Sequence, residues 1–523
     1  MTDPEVLIVG AGPVGLTARA LLARWGVRTM LVEKRGELSP FPRSRLVNVR
    51  SMEIFRQLGL ADAVKASAFA PEFGRIRFRD TLGDHDFGSA GMVGINAPIA
   101  ESPVIGALTS QDRLEPTLFA ATDTEVRYGV ELVDLAEEAD CVVASLVDHG
   151  SGARTQVRAR YVLAADGANS TVRERVGIST AGPGAVGRLT TVVFEADLHP
   201  WLVDQPAGVY ATAHGSFLPI YPESGWAWID GTPEDLAQAG WPDLVARALG
   251  PKFDVRVDVL RVQHWVVNAF AAEHFARGRV LLAGDAAHAI PPSGGLGMNV
   301  GIGDVHNLCW KLAGVVQGWA GPGLLATFEP ERQPVALRNL RQAVANAHLA
   351  HDVQNRRREQ LANGGAAASA EIEMPWSEEY FAQLGLVLGV AYDSAAVLAD
   401  DTPTEPTEAG TDYVPTPAPG HRLPHAWLAD GRSTLDTAGE WFTLLTPDPD
   451  RWAQHTAGPW PLHIEALPEE HIDLFGLGRH GALLVRPDGH IAARWRHGAP
   501  GDAPLWDALT TITGPAERAP TAQ

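Results

Sequence analysis

The chain has 523 residues, of which 45% are hydrophobic and 20% are charged, and its formal net charge is −21. This length predicts about three domains, and the acidic charge argues against a nucleic-acid partner, because a phosphate backbone would repel it. No apolar run approaches the ~20 residues that a membrane-spanning helix needs. The N-terminus lacks the basic and cleavable regions of a secretory signal. We therefore expect a cytoplasmic protein with neither a membrane nor a nucleic acid as partner.

Cysteine usage limits the chemistry further. The sequence contains only two cysteines, Cys141 and Cys309. Two thiols exclude a disulfide framework and argue against a cysteine-rich metal or iron–sulfur site. We expect both side chains to be buried packing residues and no metal to be bound.

The first 34 residues have the pattern of a strand, a tight turn, a helix and a second strand. Gly10, Gly12 and Gly15 fit the GxGxxG spacing between the first strand and the helix. In such a unit the first glycine makes the turn, the second admits a pyrophosphate, and the third packs the helix on the strand. Glu33 ends the second strand, where a carboxylate accepts hydrogen bonds from a ribose diol, so FAD or NAD is favoured over NADP.

The remaining chain alternates between two kinds of segment. Short alternating runs at about 72–108 and 185–265 predict the strands of a separate sheet, while strand-like runs ending in glycine turns lie between and after them. Helical spacing extends from Asp304 to about Leu361. The regular patterns are interrupted again at about 401–420, a stretch that is rich in Pro, Thr and Glu. The predicted domains are a nucleotide-binding domain with a helical extension (1–71, 109–184 and 266–400), a substrate-binding sheet domain (72–108 and 185–265) and a C-terminal domain (401–523).

Two later loops carry further polar motifs. Residues 165–173 read ADGANSTVR, and residues 282–288 read LAGDAAH and continue through two prolines to a glycine-rich stretch ending at Asn299. An Asp at the end of a strand can bind sugar hydroxyls, and a glycine-rich loop entering a helix offers amide donors to an anionic flavin ring. Either Asp alone is also compatible with a plain turn or cap, but together with the first motif they favour an FAD site.

The three motifs, in this order and spacing, resemble those of the class A flavoprotein aromatic hydroxylases, the family of para-hydroxybenzoate and phenol hydroxylase. The whole chain is most similar to actinomycete polyketide hydroxylases of antibiotic biosynthesis, such as aklavinone hydroxylase, because the C-terminal domain is also similar to theirs. The resemblance implies an α/β protein in which a Rossmann-like FAD-binding fold is interleaved with a β-sheet substrate domain and followed by a thioredoxin-like domain. That last domain has no cysteine, so a thiol–disulfide function is excluded and a structural, interface or lid role is expected.

The resemblance also assigns cofactor residues beyond the first motif. Asp166 and Gly167 match the motif credited with roles for FAD and the nicotinamide donor. Asp285 matches the Asp that contacts the ribityl chain, and the loop through Pro292, Gly297 and Met298 matches the one facing the flavin ring. Arg43 and Gln111 occupy places where relatives approach the FAD. Taken singly, an arginine here is nearly as compatible with a solvated surface charge.

The reaction implied by the resemblance is monooxygenation. NADPH or NADH reduces the FAD, O₂ adds at flavin C4a, and the resulting hydroperoxide delivers a hydroxyl group to an electron-rich aromatic ring. No second GxGxxG unit follows a strand, so the nicotinamide is expected to bind transiently near the flavin. The expected partners are an aromatic small molecule and O₂, and the expected assembly is a monomer or a homodimer.

A base or cation near a phenolic substrate would favour its more nucleophilic phenolate form. Tyr221 is our first candidate for this catalytic role, and Tyr210 and His214 lie in the same strand-rich segment. Each of the three is equally compatible with an ordinary packed or capped side chain.

Three other functions remain open from the sequence. A Baeyer–Villiger oxygenase on the same scaffold would insert oxygen beside a ketone, and an oxygen-independent flavin dehydrogenase or reductase would leave labelled oxygen out of its product. A non-enzymatic FAD-binding protein would bind the flavin without oxidising a nicotinamide. The aromatic substrate, the carbon oxidised and the choice between NADPH and NADH do not follow from the residues.

Overall fold

The computed structural model describes residues 3–198, 204–235, 240–363, 383–400, 412–454, 458–498 and 503–514. The strands are β1 (Val6–Val9), β2 (Thr29–Glu33), β3 (Leu46–Val47), β4 (Arg75–Arg79), β5 (Gly88–Gly91), β6 (Ala107–Leu108), β7 (Val126–Tyr128), β8 (Val130–Glu137), β9 (Val142–Asp148), β10 (Arg154–Ala159), β11 (Tyr161–Ala164), β12 (Thr180–Glu195), β13 (Val209–Thr212), β14 (Gly215–Pro219), β15 (Trp226–Gly231), β16 (Asp258–Ala272), β17 (Ala276–Arg277), β18 (Val280–Leu282), β19 (His288–Ala289), β20 (Phe442–Thr446), β21 (Leu462–Ala466), β22 (Ala482–Val485) and β23 (Ile491–Trp495).

The helices are α1 (Pro13–Arg24), α2 (Val49–Gln57), α3 (Ala61–Ala66), α4 (Gln111–Phe119), α5 (Thr171–Arg175), α6 (Trp241–Leu249), α7 (Gly297–Gln317), α8 (Phe328–Asn363), α9 (Leu384–Leu388), α10 (Pro449–Ala453) and α11 (Pro504–Thr513). Within the ranges given above, none of them is both long and apolar enough to cross a bilayer.

A six-stranded sheet forms the first layer, in the order β17-β18-β11-β1-β2-β7. Strands β18, β11, β1, β2 and β7 run parallel, and the short β17 pairs antiparallel at one edge. The central strand β1 and its neighbour β11 are buried along their whole length, as expected for a parallel sheet covered by helices. Helix α1 connects β1 to β2, which confirms the βαβ unit predicted at the start of the chain.

An eight-stranded sheet forms the second layer, in the order β19-β16-β12-β15-β14-β13-β4-β5. Most of its strands come from the two segments of alternating pattern, while the edge strand β19 follows β18 in the chain. All neighbours are antiparallel except β13 and β4. One face packs Phe194, Phe217 and Trp228 against Val245 and Leu249 of α6. The separate sheet expected from the sequence is therefore present, while the domain boundaries themselves stay a prediction.

The C-terminal segment contains a four-stranded sheet in the order β21-β20-β22-β23, with β21 and β20 parallel and the other pairs antiparallel. Its buried Phe442 packs edge-on against Trp310 of α7, with ring centroids 5.6 Å apart. The Trp25 indole also donates a hydrogen bond to the Glu440 carbonyl at 2.8 Å. These strands share one apolar core with the six-stranded sheet. The thioredoxin-like character of this segment stays a prediction.

The two thiols are buried, as expected from the sequence. Cys309 is fully buried in α7, and its Sγ lies 3.9 Å from the Ala18 carbonyl oxygen of α1. Burial raises the pKa of this thiol, so Cys309 is an uncharged packing residue between the two helices.

A cluster of buried charges joins the C-terminal sheet to α7 and α8. Glu331 of α8 accepts hydrogen bonds from Lys311 of α7 at 2.8 Å and from Arg486, after β22, at 2.7 Å. Arg486 also pairs with Asp488, and all four side chains are at most 1% exposed. Burial alone would raise the pKa of Glu331, but Arg486 and Lys311 outweigh it and hold that pKa well below its usual range. Glu331 therefore stays ionised and balances cations from two elements.

We expect Glu331→Gln to destabilise the protein by about 3–5 kcal/mol, because removing one member of a buried ion cluster leaves uncompensated charge in the core. Urea unfolding followed by intrinsic fluorescence measures this loss. Glu359→Gln is the matched control, since Glu359 is exposed on the same helix. Equal unfolding free energies for the two variants would contradict a structural role for the cluster.

Candidate active site

Three loops meet at one edge of the six-stranded sheet, where its parallel strands end. The Gly10 amide donates to the Val32 carbonyl at 2.8 Å, joining the end of β1 to the end of β2. The Ala165 amide donates to Val9 at 2.8 Å, and the Ala283 amide donates to Ala164 at 2.9 Å. The predicted motifs at 10–15, 165–173 and 282–288 therefore lie side by side at the carboxyl ends of the strands, where open α/β sheets bind ligands.

The glycines of the first loop differ in what surrounds them. Gly10 has φ +105°, and a Cβ there would lie 2.3 Å from the Ala165 carbonyl oxygen. A Cβ on Gly15 would lie 1.9 Å from the Gly10 carbonyl oxygen, so both positions are closed by backbone. A Cβ on Gly12 would meet no described atom within 4 Å. Gly12 therefore faces open space at the N-terminal end of α1, where amide groups and the helix dipole favour an anion.

Glu33 lies at the end of β2 and is oriented by two backbone amides. Its carboxylate accepts hydrogen bonds from Ala11 at 2.8 Å and from Arg35 at 3.0 Å. The side chain is 12% exposed. Each carboxylate oxygen retains a further lone pair, so Glu33 can accept a hydrogen bond from a sugar hydroxyl without losing its own anchors.

The second loop is a tight turn built around Asp166. The Asp166 carboxylate accepts hydrogen bonds from the Ser170 hydroxyl at 2.5 Å and the Val172 amide at 3.1 Å, and burial raises its pKa. Arg173 donates to the Ala286 carbonyl at 2.8 Å and so ties this turn to the third loop. Asp166 thus shapes its own turn, and no described atom would lie within 4 Å of a Cβ on Gly167. Their role toward a cofactor stays a prediction.

The third loop carries Asp285 next to the start of α7. A Cβ on Gly297, the first residue of α7, would lie 4.0 Å from Asp285 Oδ1. The Asp285 side chain is accessible to solvent, yet the surrounding protein raises the pKa of its carboxyl group, and His288 and Arg43 offset part of that rise. No hydrogen bond to this carboxylate is found in the described ranges. Along the same loop, Pro292 is exposed and Met298 is half-buried.

Asp304 of α7 anchors the third loop by hydrogen bonds, and the sequence analysis did not single this residue out. Its fully buried carboxylate accepts hydrogen bonds from the Gly284 amide at 3.0 Å, from His288 Nε2 at 2.6 Å and from Arg332 at 2.8 Å. Burial would raise the pKa of Asp304, but His288 and Arg332 outweigh it and lower that pKa. The sequence feature that could have identified Asp304 is its position as a lone acidic residue among the apolar residues of a predicted helix. Such a residue is expected to be buried, and a buried charge must be paired.

The two lesser cofactor candidates lie at the rim of the site. Gln111 begins α4 and donates to the buried Glu115 carboxylate at 2.6 Å, and Glu115 also accepts from the Ser39 amide. Arg43 is exposed, close enough to Glu115 and Asp285 for their charges to interact. The structure brings Arg43 and Asp285 together, while Gln111 is engaged with its own helix.

Arg45 is a second residue that the sequence did not single out. One of its guanidinium nitrogens donates to the Gly208 carbonyl at 2.9 Å, and the group lies 5.5 Å from the centre of the Phe69 ring. Nε and Nη2 are buried and have no hydrogen-bond partner. The next residue, Leu46, accepts a hydrogen bond from Asn299 of α7 at 2.8 Å. Arg45 therefore has free hydrogen-bond donors where the third loop adjoins the eight-stranded sheet. The sequence feature that could have identified it is its place near Arg43 in the same polar loop.

The three substrate-side candidates have distinct surroundings. Tyr221 donates to Asp112 of α4 at 2.5 Å, and burial together with Asp112 raises its pKa to about 12. Tyr210 is buried and donates to the Gln205 carbonyl at 2.8 Å. His214 is exposed at the turn between β13 and β14. Only Tyr221 bridges the sheet and the loop-bearing part of the chain.

These residues fit FAD. The open space beside Gly12 suits a pyrophosphate, Glu33 suits a ribose, and the unpartnered Asp285 suits the hydroxyls of a ribityl chain. Arg45 retains buried donors that a ligand between the two sheets would satisfy.

Comparison with known proteins agrees with this geometry. Residues 3–343 match the FAD binding domain family, and residues 416–516 match the aromatic-ring hydroxylase C-terminal family. A putative polyketide hydroxylase of Streptomyces halstedii is 33% identical over 97% of this chain and 96% of its own length. Aklavinone 12-hydroxylase of Streptomyces purpurascens is 32% identical over 98% of each chain.

Solved structures share the fold over nearly the full length. The flavin-dependent monooxygenase PieE, in complex with FAD and substrate, superposes with a TM-score of 0.88 at 31% identity, covering 98% of this chain and 99% of its own. The interleaved α/β architecture expected from the motifs is thereby confirmed, and so is the resemblance to polyketide hydroxylases. The chain belongs to the FAD-dependent aromatic-ring hydroxylases.

Proposed function

We propose that the protein hydroxylates a polycyclic aromatic substrate of the polyketide class, with NADPH or NADH as reductant and O₂ as the oxygen source. The relatives named for polyketide and aklavinone hydroxylation support the substrate class. The observation that carries the proposal is the position of Arg45, a half-buried cation whose buried Nε and Nη2 lack partners, between the cofactor loops and the eight-stranded sheet.

The cofactor residues are proposed from their surroundings. The amides beside Gly12 would hold the pyrophosphate and Glu33 the ribose, while Asp285 would bind the ribityl chain and the start of α7 at Gly297 would face the ring. When bound, FAD would supply the chemistry of the reaction, namely the transfer of electrons from the nicotinamide to O₂ and the transfer of one oxygen atom to the substrate. Packed loops around it limit the access of water to this chemistry.

Arg45 is proposed to activate the substrate. Burial lowers the pKa of Arg45 to about 10, so the guanidinium is still protonated at neutral pH. A cation with unpaired N–H groups stabilises a phenolate oxygen by charge and by hydrogen bonding. A phenol in this position becomes more phenolate-like, which raises the electron density of its ring.

Tyr221 is proposed to orient the substrate rather than to remove its proton. A phenol whose pKa is about 12 stays protonated at neutral pH. Its proton is directed to Asp112, which leaves the phenolic oxygen available to accept a hydrogen bond from a substrate hydroxyl.

The purified protein tests the proposal directly. NADPH and NADH oxidation is measured with and without a panel of polycyclic phenols, with labelled O₂ traced into the product by mass spectrometry. We expect substrate-stimulated oxidation and one labelled oxygen atom in a hydroxylated ring. A ring-expanded lactone, identified by NMR, would favour a Baeyer–Villiger reaction, and turnover without label would indicate a reductase.

We expect Gly12→Val to weaken FAD binding about 5- to 150-fold, because filling a tight ligand-contact space costs about 1–3 kcal/mol. The apoprotein should keep its unfolding midpoint, since a Cβ there meets no described atom. Flavin fluorescence titration and circular dichroism separate the two effects. Gly15→Val is the contrasting variant, in which the backbone clash should impair folding itself. A Gly12→Val protein with normal FAD affinity would contradict the assigned pyrophosphate position.

We expect Arg45→Met to lower kcat/KM for the aromatic substrate about 10- to 100-fold, since hydrogen bonds to charged groups contribute about 1.5–3 kcal/mol. The substitution removes the free donors but keeps an apolar side chain beside Phe69. Steady-state kinetics at fixed flavin occupancy measure this loss. Arg154→Met, an exposed position on β10, is the matched control. Unchanged kinetics in Arg45→Met would remove this residue from the substrate site.

A further inference from the structure

The turn between β14 and β15 contacts α4 through two successive residues of that helix. Tyr221 of the turn donates a hydrogen bond to Asp112 at 2.5 Å. Arg113 donates from Nη1 to Oε2 of Glu223, in the same turn, at 3.1 Å, and a second bond joins its Nη2 to Oε1. These contacts join the eight-stranded sheet to the helix that begins at the cofactor candidate Gln111.

Arg113 also lies over the face of the Tyr221 ring. The central carbon of its guanidinium is 4.2 Å from the ring centroid, well within the limit of about 6 Å for a cation–π contact. A planar guanidinium can bind a carboxylate with its N–H groups while its face stacks on an aromatic ring. Glu223 therefore holds the guanidinium, and the guanidinium covers one face of Tyr221.

The sheet and the polar loop before β3 supply further neighbours of Tyr221. A Cβ on Gly225 would lie 3.5 Å from Tyr221 Cδ2, so the turn closes beside the ring. Phe41 of the loop belongs to the same apolar cluster as Tyr221. Arg261 of β16 donates to the Pro40 carbonyl at 2.8 Å and is close enough to Tyr221 for its charge to act on the phenol. Helix α4, the turn and the loop thus meet at this side chain.

The ion pair between Arg113 and Glu223 is too exposed to act mainly as a source of stability. The two side chains are 30% and 59% exposed, and exposed pairs contribute little because solvent screens their charges. Two parallel hydrogen bonds nevertheless restrict the direction of a guanidinium. The main effect of the pair is therefore on the orientation of Arg113, and through Arg113 on that of the Tyr221 ring.

We propose that Arg113, held by Glu223, is a positioning residue for Tyr221. Asp112 fixes the hydroxyl end of the phenol and Arg113 fixes its ring. The phenolic oxygen then keeps one direction in which it can accept a hydrogen bond from a substrate hydroxyl. The link to the substrate rests on the proposed function, whereas the fixing of Tyr221 does not depend on any reaction.

A misdirected phenolic oxygen would leave the substrate poorly placed while O₂ is being reduced. The electrons of the nicotinamide then leave as hydrogen peroxide, because NADPH, a proton and O₂ give NADP⁺ and H₂O₂. The yield of hydroxylated product per NADPH oxidised therefore reports how well the substrate is placed. A residue that served only folding would change the unfolding midpoint and leave this yield unaltered.

Carbon-13 relaxation of the tyrosine rings in the FAD-loaded protein measures the fixing of Tyr221 without any reaction. The chain has seven tyrosines, and Tyr221→Phe identifies the signal of interest. We expect Arg113→Met and Glu223→Gln to lower the order parameter of the Tyr221 ring, because each removes one part of its hold. Arg158→Met, which removes an exposed ion pair on β10, is the matched control. Equal order parameters in the parent protein and in Arg113→Met would overturn the proposal.

Product, hydrogen peroxide and NADPH oxidation are then measured together with the panel of polycyclic phenols at equal FAD occupancy. We expect Arg113→Met to lower the product yield per NADPH about fivefold to tenfold, because small misplacements of reacting groups cost large factors in rate. FAD affinity and the unfolding midpoint should stay at the parent values, and Arg158→Met should keep the parent yield.

The charge-exchanged protein, with Arg113→Glu and Glu223→Arg, separates positioning from a simple link between α4 and the turn. The exchange restores the ion pair but places a carboxylate beside the negative face of the Tyr221 ring. We expect the product yield to stay low. Full recovery would show that the link alone is sufficient and would overturn the role of the guanidinium.

The two measurements also separate this inference from the proposed function. A parent protein that hydroxylates none of the phenols would refute the proposed function, and the order parameters alone would then decide whether Arg113 fixes Tyr221. A parent protein that hydroxylates a phenol, with an undiminished product yield in Arg113→Met, would leave the proposed function intact and overturn the inference.

Discussion

The carboxylate of Asp304 is the constraint on which the architecture of the site depends. It is fully buried in α7 and accepts hydrogen bonds from the Gly284 amide, from His288 and from Arg332. The first two partners belong to the loop that carries Asp285, and the third belongs to α8. A single ionised group thus fixes the position of the loop relative to α7 and the approach of the next helix, through charge-assisted hydrogen bonds.

The same connection continues into the C-terminal segment. Arg332 donates to the Tyr392 hydroxyl at 3.1 Å, and the Tyr392 ring lies 5.1 Å from the Arg486 guanidinium. Arg486 in turn pairs with Glu331 on the helix that bears Arg332. The C-terminal strands are therefore joined to the helices behind the cofactor loops by buried charge as well as by apolar packing, which gives this cysteine-free segment a structural role.

The sequence predicted the parts of the structure that follow local rules. GxGxxG spacing and strand-like runs were sufficient for the βαβ unit and for the meeting of three loops at the carboxyl ends of parallel strands, because such ends share one edge. Long-range pairing was not accessible: Arg45 and Asp304 are defined by Gly208, Gly284 and Arg332, residues far away in the sequence. The same reason explains why the sequence did not show the hydrogen-bond partner of Tyr221, since Asp112 lies 109 positions earlier.

The shared apolar core has a consequence for recombination between relatives. Trp310 of α7 and Phe442 of β20 pack against each other without an intervening polar layer. A chimera that joined the first 400 residues of this chain to the C-terminal segment of another hydroxylase would place foreign side chains against Trp310 and Trp25. A successful exchange would therefore also have to replace the residues of α1 and α7 that face the C-terminal segment. The unit that can be transplanted is larger than the C-terminal segment that the sequence delimits.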